Sequence, residues 1–543
     1  MRRFSGGLTA LGLVGALAAC APAAAQGPQR DYLVFYADGG QGRAVDAIRA
    51  GGGSAVATEE RLGYVLARAD DGFVDRLGDS DAIVGVSTDR RIGSTAAAGH
   101  GRTASGVAVG RTAPDVNSTV AKGEPLAKRQ WDMRMIGADR ANRTTPGSRK
   151  VLVGVIDTGI DGKHPDIAPN FNRELSRNFV TDKPKDPNGE TVDGPCEYKG
   201  CKDPVDVDDD GHGTHVASTI ASPLNGKGIA GVAPGVQLVN LRAGQDSGLF
   251  FLKPSLDALT YAADIGVDVV NMSYYVDPWL FNCANAKGDS KRERLEQRGV
   301  ITGMQRALDY ARGKGVTLIS ALGNGSLDLG KPRADASSPN YPQGGERSRK
   351  VDNSCLNVPA ESKGVISVSS VGPSGGKARY SDYGIEQADL AAPGGDMTDG
   401  GGLSPTRSIL AAAPEAVLRR EGKIGKSGAP TTTEVVRDCT GGTCAYYQYL
   451  DGTSMAAPHA TGVAALLISR FGKPGKGGLH LAPKTVESML YASATRKACP
   501  SPRAHAYKGF GETQTHTCEG SASKNGFYGR GVVDAWNAVT IKK

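Results

Sequence analysis

The sequence predicts an α/β protein, a parallel sheet with helices on both faces, preceded by a small α+β unit. Three observations carry that prediction. Continuous apolar runs such as Val151–Ile156 suit strands buried on both faces of a parallel sheet. Helix candidates separate several of those runs, and alternation of this kind belongs to parallel sheets. Residues 31–92 hold shorter segments in a different order and read as a separate compact unit. With 543 residues the chain is long enough for two or three domains with ample core. The 75 glycines are scattered without a period, which rules out a collagen-like chain. A net charge of +7 is small for this length, and no dense basic run carries interleaved aromatics. Nucleic-acid binding therefore has little support.

Residues 1–25 read as a secretory signal peptide. Arg2 and Arg3 supply positive charge and Leu8–Ala19 a short apolar core, too short to span a bilayer. Two processing routes stay open. Ala23-Ala24-Ala25 offers an Ala-x-Ala cleavage site before Gln26. Leu17-Ala18-Ala19-Cys20 instead resembles a bacterial lipoprotein box, with lipid on Cys20 as the sole membrane contact. The compact unit follows. Strands are expected at Asp31–Ala37, twice within Ser54–Ala69 and at Ala82–Thr88, with helices at Gly42–Ala50 and Asp71–Leu77. The order βαββαβ is a ferredoxin-like pattern. Residues 93–126 are rich in Gly, Ala, Ser and Thr and read as an exposed linker. From 127 to 543, strands are expected at Val151–Ile156, Gln237–Arg242, Val267–Met272, Val316–Leu322 and Gly364–Val371. Helices are expected at Pro254–Asp264 and Arg298–Gly313. Residues 180–210, 277–297 and 413–446 read as long inserted loops.

Three stretches carry the chemistry. In Asp451–Gly462 a small-residue turn runs into the apolar stretch Ala460–Ser469, a buried helix. Ser454 thus sits where a loop meets a helix N-terminus, with unpaired N–H groups beside it. A serine there is a helix cap or a nucleophile whose reaction places an oxyanion beside waiting donors. Asp157 ends the run Val151–Ile156, where open α/β sheets put their sites. His212 and His215 lie in Asp210–Ser218, ahead of a helix at Val216–Ala221. Their spacing lacks the His-Glu-x-x-His pattern of a zinc site. Together the stretches supply Asp, His and Ser in that order.

The chain resembles the subtilisin-like serine proteases, the subtilases. The resemblance rests on Asp-Thr-Gly-Ile-Asp at 157–161, His-Gly-Thr-His-Val-Ala at 212–217 and Gly-Thr-Ser-Met-Ala-Ala-Pro-His at 452–459. Gly-Val-Ala-Pro at 231–234, Val-Val-Asn-Met-Ser at 269–273, Gly-Asn-Gly at 323–325, Ala-Ala-Pro-Gly at 391–394 and Gly-Arg-Gly-Val-Val-Asp-Ala at 529–535 join them. Agreement runs over residues 130–543. It implies a subtilisin-like catalytic domain at 127–543, with 26–126 as a propeptide and linker cut within 93–126. The propeptide would assist folding and inhibit the enzyme until removed.

The resemblance also implies roles. Ser454 attacks a peptide carbonyl, His212 moves the proton, and Asp157 orients the imidazole. Asn324 joins the Ser454 N–H as oxyanion donor. An extended substrate pairs beside Ser273, Tyr274 and Tyr275 and near Gly244–Gly248. Tyr275 stands where the family has a small residue, so it narrows the cleft or moves aside. Leu322, Gly323 and Asn357 belong to the substrate site, with Leu322 and 357–360 lining its primary pocket. The acidic run Asp206–Asp210 favours basic substrate residues or is a solvated loop, and the solvated loop is the expectation.

No cofactor is expected for catalysis. A structural calcium is expected at Asp166, which lies in His164-Pro165-Asp166, with Asn225 as a further ligand. Nine cysteines leave eight without Cys20, an even number that favours disulfides in a secreted chain. Sequence proximity suggests Cys196–Cys201, Cys439–Cys444 and Cys499–Cys518, leaving Cys283–Cys355, one of about 105 connectivities. The expected function is a secreted, self-processing serine endopeptidase acting on proteins or peptides. The alternatives are a silent binding protein on the same fold and a transpeptidase that passes the acyl group to an amine.

Overall fold

The computed structural model describes residues 29–77, 80–88, 123–475 and 478–542. The signal segment, Cys20 and most of the expected linker with its cleavage point lie outside them.

The N-terminal unit has the expected order. Strands β1 (Arg30–Tyr36), β2 (Ser54–Glu59), β3 (Tyr64–Ala69) and β4 (Ile83–Thr88) form an antiparallel sheet in the order β2-β3-β1-β4. Helices α1 (Gln41–Ala50) and α2 (Phe73–Arg76) connect them. Period-2 alternation divides β1 between two cores: Tyr32 and Val34 pack with Ile48 and Phe73, while Leu33 and Phe35 face the main body.

The main body is a parallel sheet of seven strands. These are β5 (Leu152–Ile156), β6 (Arg177–Asn178), β7 (Gln237–Arg242), β8 (Val269–Met272), β9 (Thr317–Ala321), β10 (Ile366–Val371) and β11 (Leu390–Pro393). Their order is β11-β10-β9-β8-β5-β7-β6. Alternation again sorts the side chains. Val153 and Val155 of β5 enter one core; Leu152 and Ile156 enter the other. Helices α3 (His212–Ala221) and α6 (Thr453–Phe471) cover the first face. Helices α4 (Leu252–Ile265) and α5 (Lys291–Gly313) cover the second.

Helix α5 begins seven residues before the expected Arg298, inside the stretch 277–297 read as a loop. A reciprocal cap starts it. Glu293 N–H donates to Ser290 Oγ at 3.2 Å, and Ser290 N–H donates to Glu293 Oε2 at 2.7 Å. The stretch 413–446 is also not a plain loop. It holds a helix at Glu415–Arg420 and strand β13 (Val435–Asp438), which pairs with β14 (Ala445–Leu450) beside β12 (Ile409–Ala412). A hairpin of β15 (Ala504–Gly509) and β16 (Glu512–Thr517) decorates the C-terminal part.

The N-terminal sheet docks on α5. Leu33, Phe35 and Tyr64 share one core with Val300, Met304 and Ala307 of that helix. Gly85 and Gly299 let two backbones touch. A Cβ on Gly85 would lie 2.4 Å from Gly299 N, and one on Gly299 would lie 2.8 Å from Val86 C and O. Arg306 closes the contact, donating to Leu62 O, Gly63 O and Tyr36 O at 3.2, 2.9 and 2.9 Å.

The cysteines pair as proximity suggested: Cys196–Cys201, Cys283–Cys355, Cys439–Cys444 and Cys499–Cys518. Among the described residues no helix is long and apolar enough to cross a membrane.

Candidate active site

Asp157 follows β5 directly and is fully buried. Its Oδ1 accepts from Thr158 N–H at 2.8 Å and from His212 Nδ1 at 2.7 Å. That contact puts the proton of neutral His212 on Nδ1 and leaves Nε2 as the basic nitrogen. Nε2 is buried without a hydrogen-bond partner among the described residues. Burial alone would lower the His212 pKa. Asp157, with Asp210 and Asp208 behind it, outweighs burial and raises it to about 9.

Helix α3 is drawn against β5 by two features. Gly213 admits a contact that no side chain could: a Cβ there would sit 2.1 Å from Gly159 O. Asp208 knits the two stretches together. Its Oδ1 accepts from Thr158 Oγ1 and Gly211 N–H at 3.0 and 2.9 Å; its Oδ2 accepts from Thr214 N–H and Oγ1 at 2.8 and 2.6 Å. The expectation of a solvated acidic loop is corrected here. Asp206 and Asp208 are buried, and Asp206 pairs with Lys163 at 3.3 Å and with Arg173.

Ser454 is the second residue of α6 and fully buried. Pro458 lies inside that helix and has no N–H to give to the carbonyl four residues back, which is Ser454 O. Ser273 Oγ donates to that carbonyl instead, at 3.1 Å. Ser454 Oγ in turn donates to Ser273 O at 3.3 Å. Ser273 is itself held by Asn271 Nδ2 at 2.8 Å. Asn324 also meets this helix end. Its Oδ1 accepts from Thr453 N–H at 2.9 Å and Thr453 Oγ1 at 2.8 Å. Two donors on that atom fix it as the amide oxygen and turn Nδ2 the other way.

A family model described as the subtilase family matches residues 148–518. The chain belongs to the subtilase family. Fervidolysin of Fervidobacterium pennivorans is 29% identical over 373 residues, 66% of this chain and 40% of its own. This subtilase thus spans less than half the length of that relative. The epidermin leader peptide-processing serine protease EpiP of Staphylococcus epidermidis is 26% identical over 66% of this chain and 69% of its own. The crystal structure of EpiP from Staphylococcus aureus superposes with a TM-score of 0.59, covering 95% of this chain and 99% of that one at 22% identity. That likeness extends the fold agreement to nearly the full chain, the parallel sheet with helices on both faces included.

The expected substrate residues of this subtilase divide into two groups. Ser273 and Gly323 lie beside the serine, with Gly323 N–H donating to Thr453 Oγ1 at 3.1 Å, whereas Leu322 needs correction as a pocket residue: it is fully buried and packs with Phe281 and Leu329. Tyr274 needs correction as a contact residue. Its ring is buried, stacked on Phe250 at 4.2 Å, so it supports the wall from behind. Tyr275 is half-buried and tied to Asn340 Nδ2 at 3.1 Å through its hydroxyl. Asn357 is buried, its N–H donating to Glu361 Oε2 at 2.7 Å.

Two acidic clusters bear on metals. Asp166 is buried; its Oδ2 accepts from Ile229 N–H at 3.0 Å and Tyr447 OH at 2.8 Å, while Oδ1 has no partner among the described residues. Asn225 donates to Pro165 O at 3.2 Å beside it. Glu124, which the sequence reading missed, accepts from Gly226 N–H at 3.1 Å and leaves Oε2 buried without a partner. Burial and the nearby Glu124 carboxylate push Asp166 up to about 7. Two orphaned carboxylate oxygens around one loop suit a hard cation. The second cluster, Asp182, Asp203 and Asp246, has its ligand atoms within 4.8 Å of one another. Its cation is already present: fully buried Arg242 donates to Asp182 and Asp246 at 2.7 and 2.8 Å and to Asp203.

Proposed function

We propose that this subtilase is an exported serine endopeptidase, made as a zymogen with the N-terminal unit as its inhibitor. One observation carries the reading: Asp157 holds Nδ1 of His212, so the open Nε2 is the nitrogen available to the serine. Ser454 Oγ leaves Ser273 O and gives its proton to Nε2 as it attacks a peptide carbonyl. Asp157 stabilises the imidazolium that forms. The proton then passes to the leaving amine, and water repeats the sequence to release the acyl group. The oxyanion forms between Ser454 N–H and Asn324 Nδ2, the latter aimed by the contact of Oδ1 with Thr453. Ser273 O, released by Ser454 Oγ, is free to accept from the main chain of an extended substrate. Four disulfides support an oxidising compartment.

Calcium belongs to this reading as a structural ion. Asp166 and Glu124 would hold it, with the 225–229 loop supplying further oxygens, and it would neutralise their charge.

A narrower activity, removal of one leader peptide from a precursor, is favoured by one observation. Asn340 anchors Tyr275 where a substrate backbone is expected to pass, which restricts the cleft. The relative EpiP processes the epidermin leader peptide. Digestion of a mixed peptide library separates the two: many cleaved sequences mean a general endopeptidase, a single motif means a processing enzyme.

Intact-mass analysis of exported wild type and Ser454→Ala tests the main reading. Wild type should lose its first hundred or so residues, roughly the signal and N-terminal unit. The variant should keep the unit. Equal processing of both would overturn self-maturation.

A further inference from the structure

The loop that carries Asn324 is not held by Thr453 alone. Asp382, buried at 2% exposure, fills its concave side. Leu327 N–H donates to Asp382 Oδ1 at 2.7 Å, and Gly325 N–H also donates to the carboxylate. The backbones are joined as well: Asp382 N–H donates to Gly323 O at 2.9 Å, and Tyr383 N–H donates to Leu327 O at 2.9 Å. Gly323 has φ +130° and lies hard against this acid, where a Cβ would meet Asp382 Oδ2 at 2.2 Å. One carboxylate thus spans the residues on both sides of Asn324.

A lysine stands behind the Asp382 turn, its ammonium pushed down to about 7 by burial. Lys377 is also buried, and its Nζ donates to Ala378 O at 2.8 Å and Ser381 O at 2.6 Å. The rings of Tyr383, Tyr507 and Phe527 surround the ammonium at 5.1, 5.1 and 5.5 Å. The carbonyls it holds flank the turn that presents Asp382. The C-terminal hairpin, through Tyr507, therefore reaches the lysine behind this turn.

We propose that Asp382 is a positioning residue for the oxyanion donor Asn324, with Lys377 holding the turn that presents it. The inference rests on the protease reading above. The carboxylate acts on the loop and not on substrate: two N–H donors fix the loop backbone, so the Asn324 amide meets the oxyanion without reorganising. Burial works against the charge and pushes Asp382 up to about 7, opposed by the Leu327 and Gly325 N–H groups and by Lys377. Tyr383 on the same segment and Glu361 from a neighbouring segment are the other titratable groups that sense it.

The test is a double-mutant cycle on the full-length chain, with Asn324→Ala, Asp382→Asn and both together, read as kcat and KM on a peptide ester or amide. An amide at 382 cannot accept from both N–H groups with the same charge. Asp382→Asn should lower kcat about ten- to a hundredfold with KM little changed. In the Asn324→Ala background the same change should have almost no effect, because its route to the reaction is gone. An equal loss in both backgrounds, or a loss confined to KM, overturns the proposal. If Asp382→Asn does not fold, Lys377→Met replaces it in the same cycle, with the same two outcomes. A wild type that turns over no substrate, or a Ser454→Ala variant that does, would strike the protease reading instead.

Discussion

His212 carries more negative charge around it than an orienting partner requires. Asp157 touches it, and Asp210 and Asp208 stand behind, so its proton is held up to about 9. A base must be neutral to accept a proton, and His212 is neutral only above that value. The expected profile of kcat/KM therefore rises with pH as a limb centred near 9 and levels only above that value. Asp210→Asn removes one neighbouring negative charge and should move that limb to lower pH; a limb that stays put would mean that Asp210 does not act on the ring. Asn324→Ala should cost about a hundred- to a thousandfold in kcat, the size of effect such a donor has in subtilisin. Asp157, His212, Ser454 and Asn324 stand out in the sequence by local signs: Asp157 ends an apolar run, and the other three lie in stretches of small residues. Asp208 and Glu124 were not. A carboxylate in an acidic run looks the same whether it faces water or knits two segments, and only the fold brings Thr158 and Thr214 to Asp208.

Helix α5 does two jobs with one sequence. Its inner side completes the core under the sheet, while Gly299 and its neighbours receive the N-terminal unit. Gly299→Ala would push a methyl into Val86, and overpacking of this kind costs about 1–3 kcal/mol. In the Ser454→Ala background, which is expected to keep the unit attached, limited proteolysis should then remove residues 29–88 faster than from the parent. Unchanged resistance would show that the backbone contact at Gly85 contributes little to docking. Five of the seven parallel strands were legible from their apolar runs, with ends that moved by no more than two residues; the short edge strands β6 and β11 were not. The start of α5 was missed although Ser290 and Glu293 spell a capping box, because the charged turn that follows carries few apolar residues. The sheet inside 413–446 was missed for a different reason. Strand β13 pairs with β14, and β14 pairs in turn with Ile409–Ala412 across the chain, a partner that no local period records.

Cross-links and charge govern how the assembled chain responds to its surroundings. The Cys283–Cys355 bridge closes the longest loop, 72 residues apart in sequence. Replacing both cysteines should remove about 4 kcal/mol of stability on chain-entropy grounds, more than for either five-residue bridge. Thermal unfolding of the variants would rank them. Asp166 gives a second response. Its carboxyl sits at about 7 in the fold against an ordinary value near 4, so without a cation its share of stability is present at acid pH and lost as pH rises through 7. Calcium needs the ionised form and should restore that loss. Chelator should therefore lower the melting temperature more at pH 8 than at pH 5; an equal shift at both would place the ion elsewhere. The Arg242 cluster answers differently. Its positive charge is covalently part of the chain, and no chelator can withdraw it. Ion depletion should leave hydrogen exchange slow around residues 242–248 on the substrate side while it quickens at 225–229. Such a molecule would fail first at the 225–229 loop, by nicking or fraying, with its cleft still shaped. Loss of ions would then show as a shortened working life and not as a sudden stop.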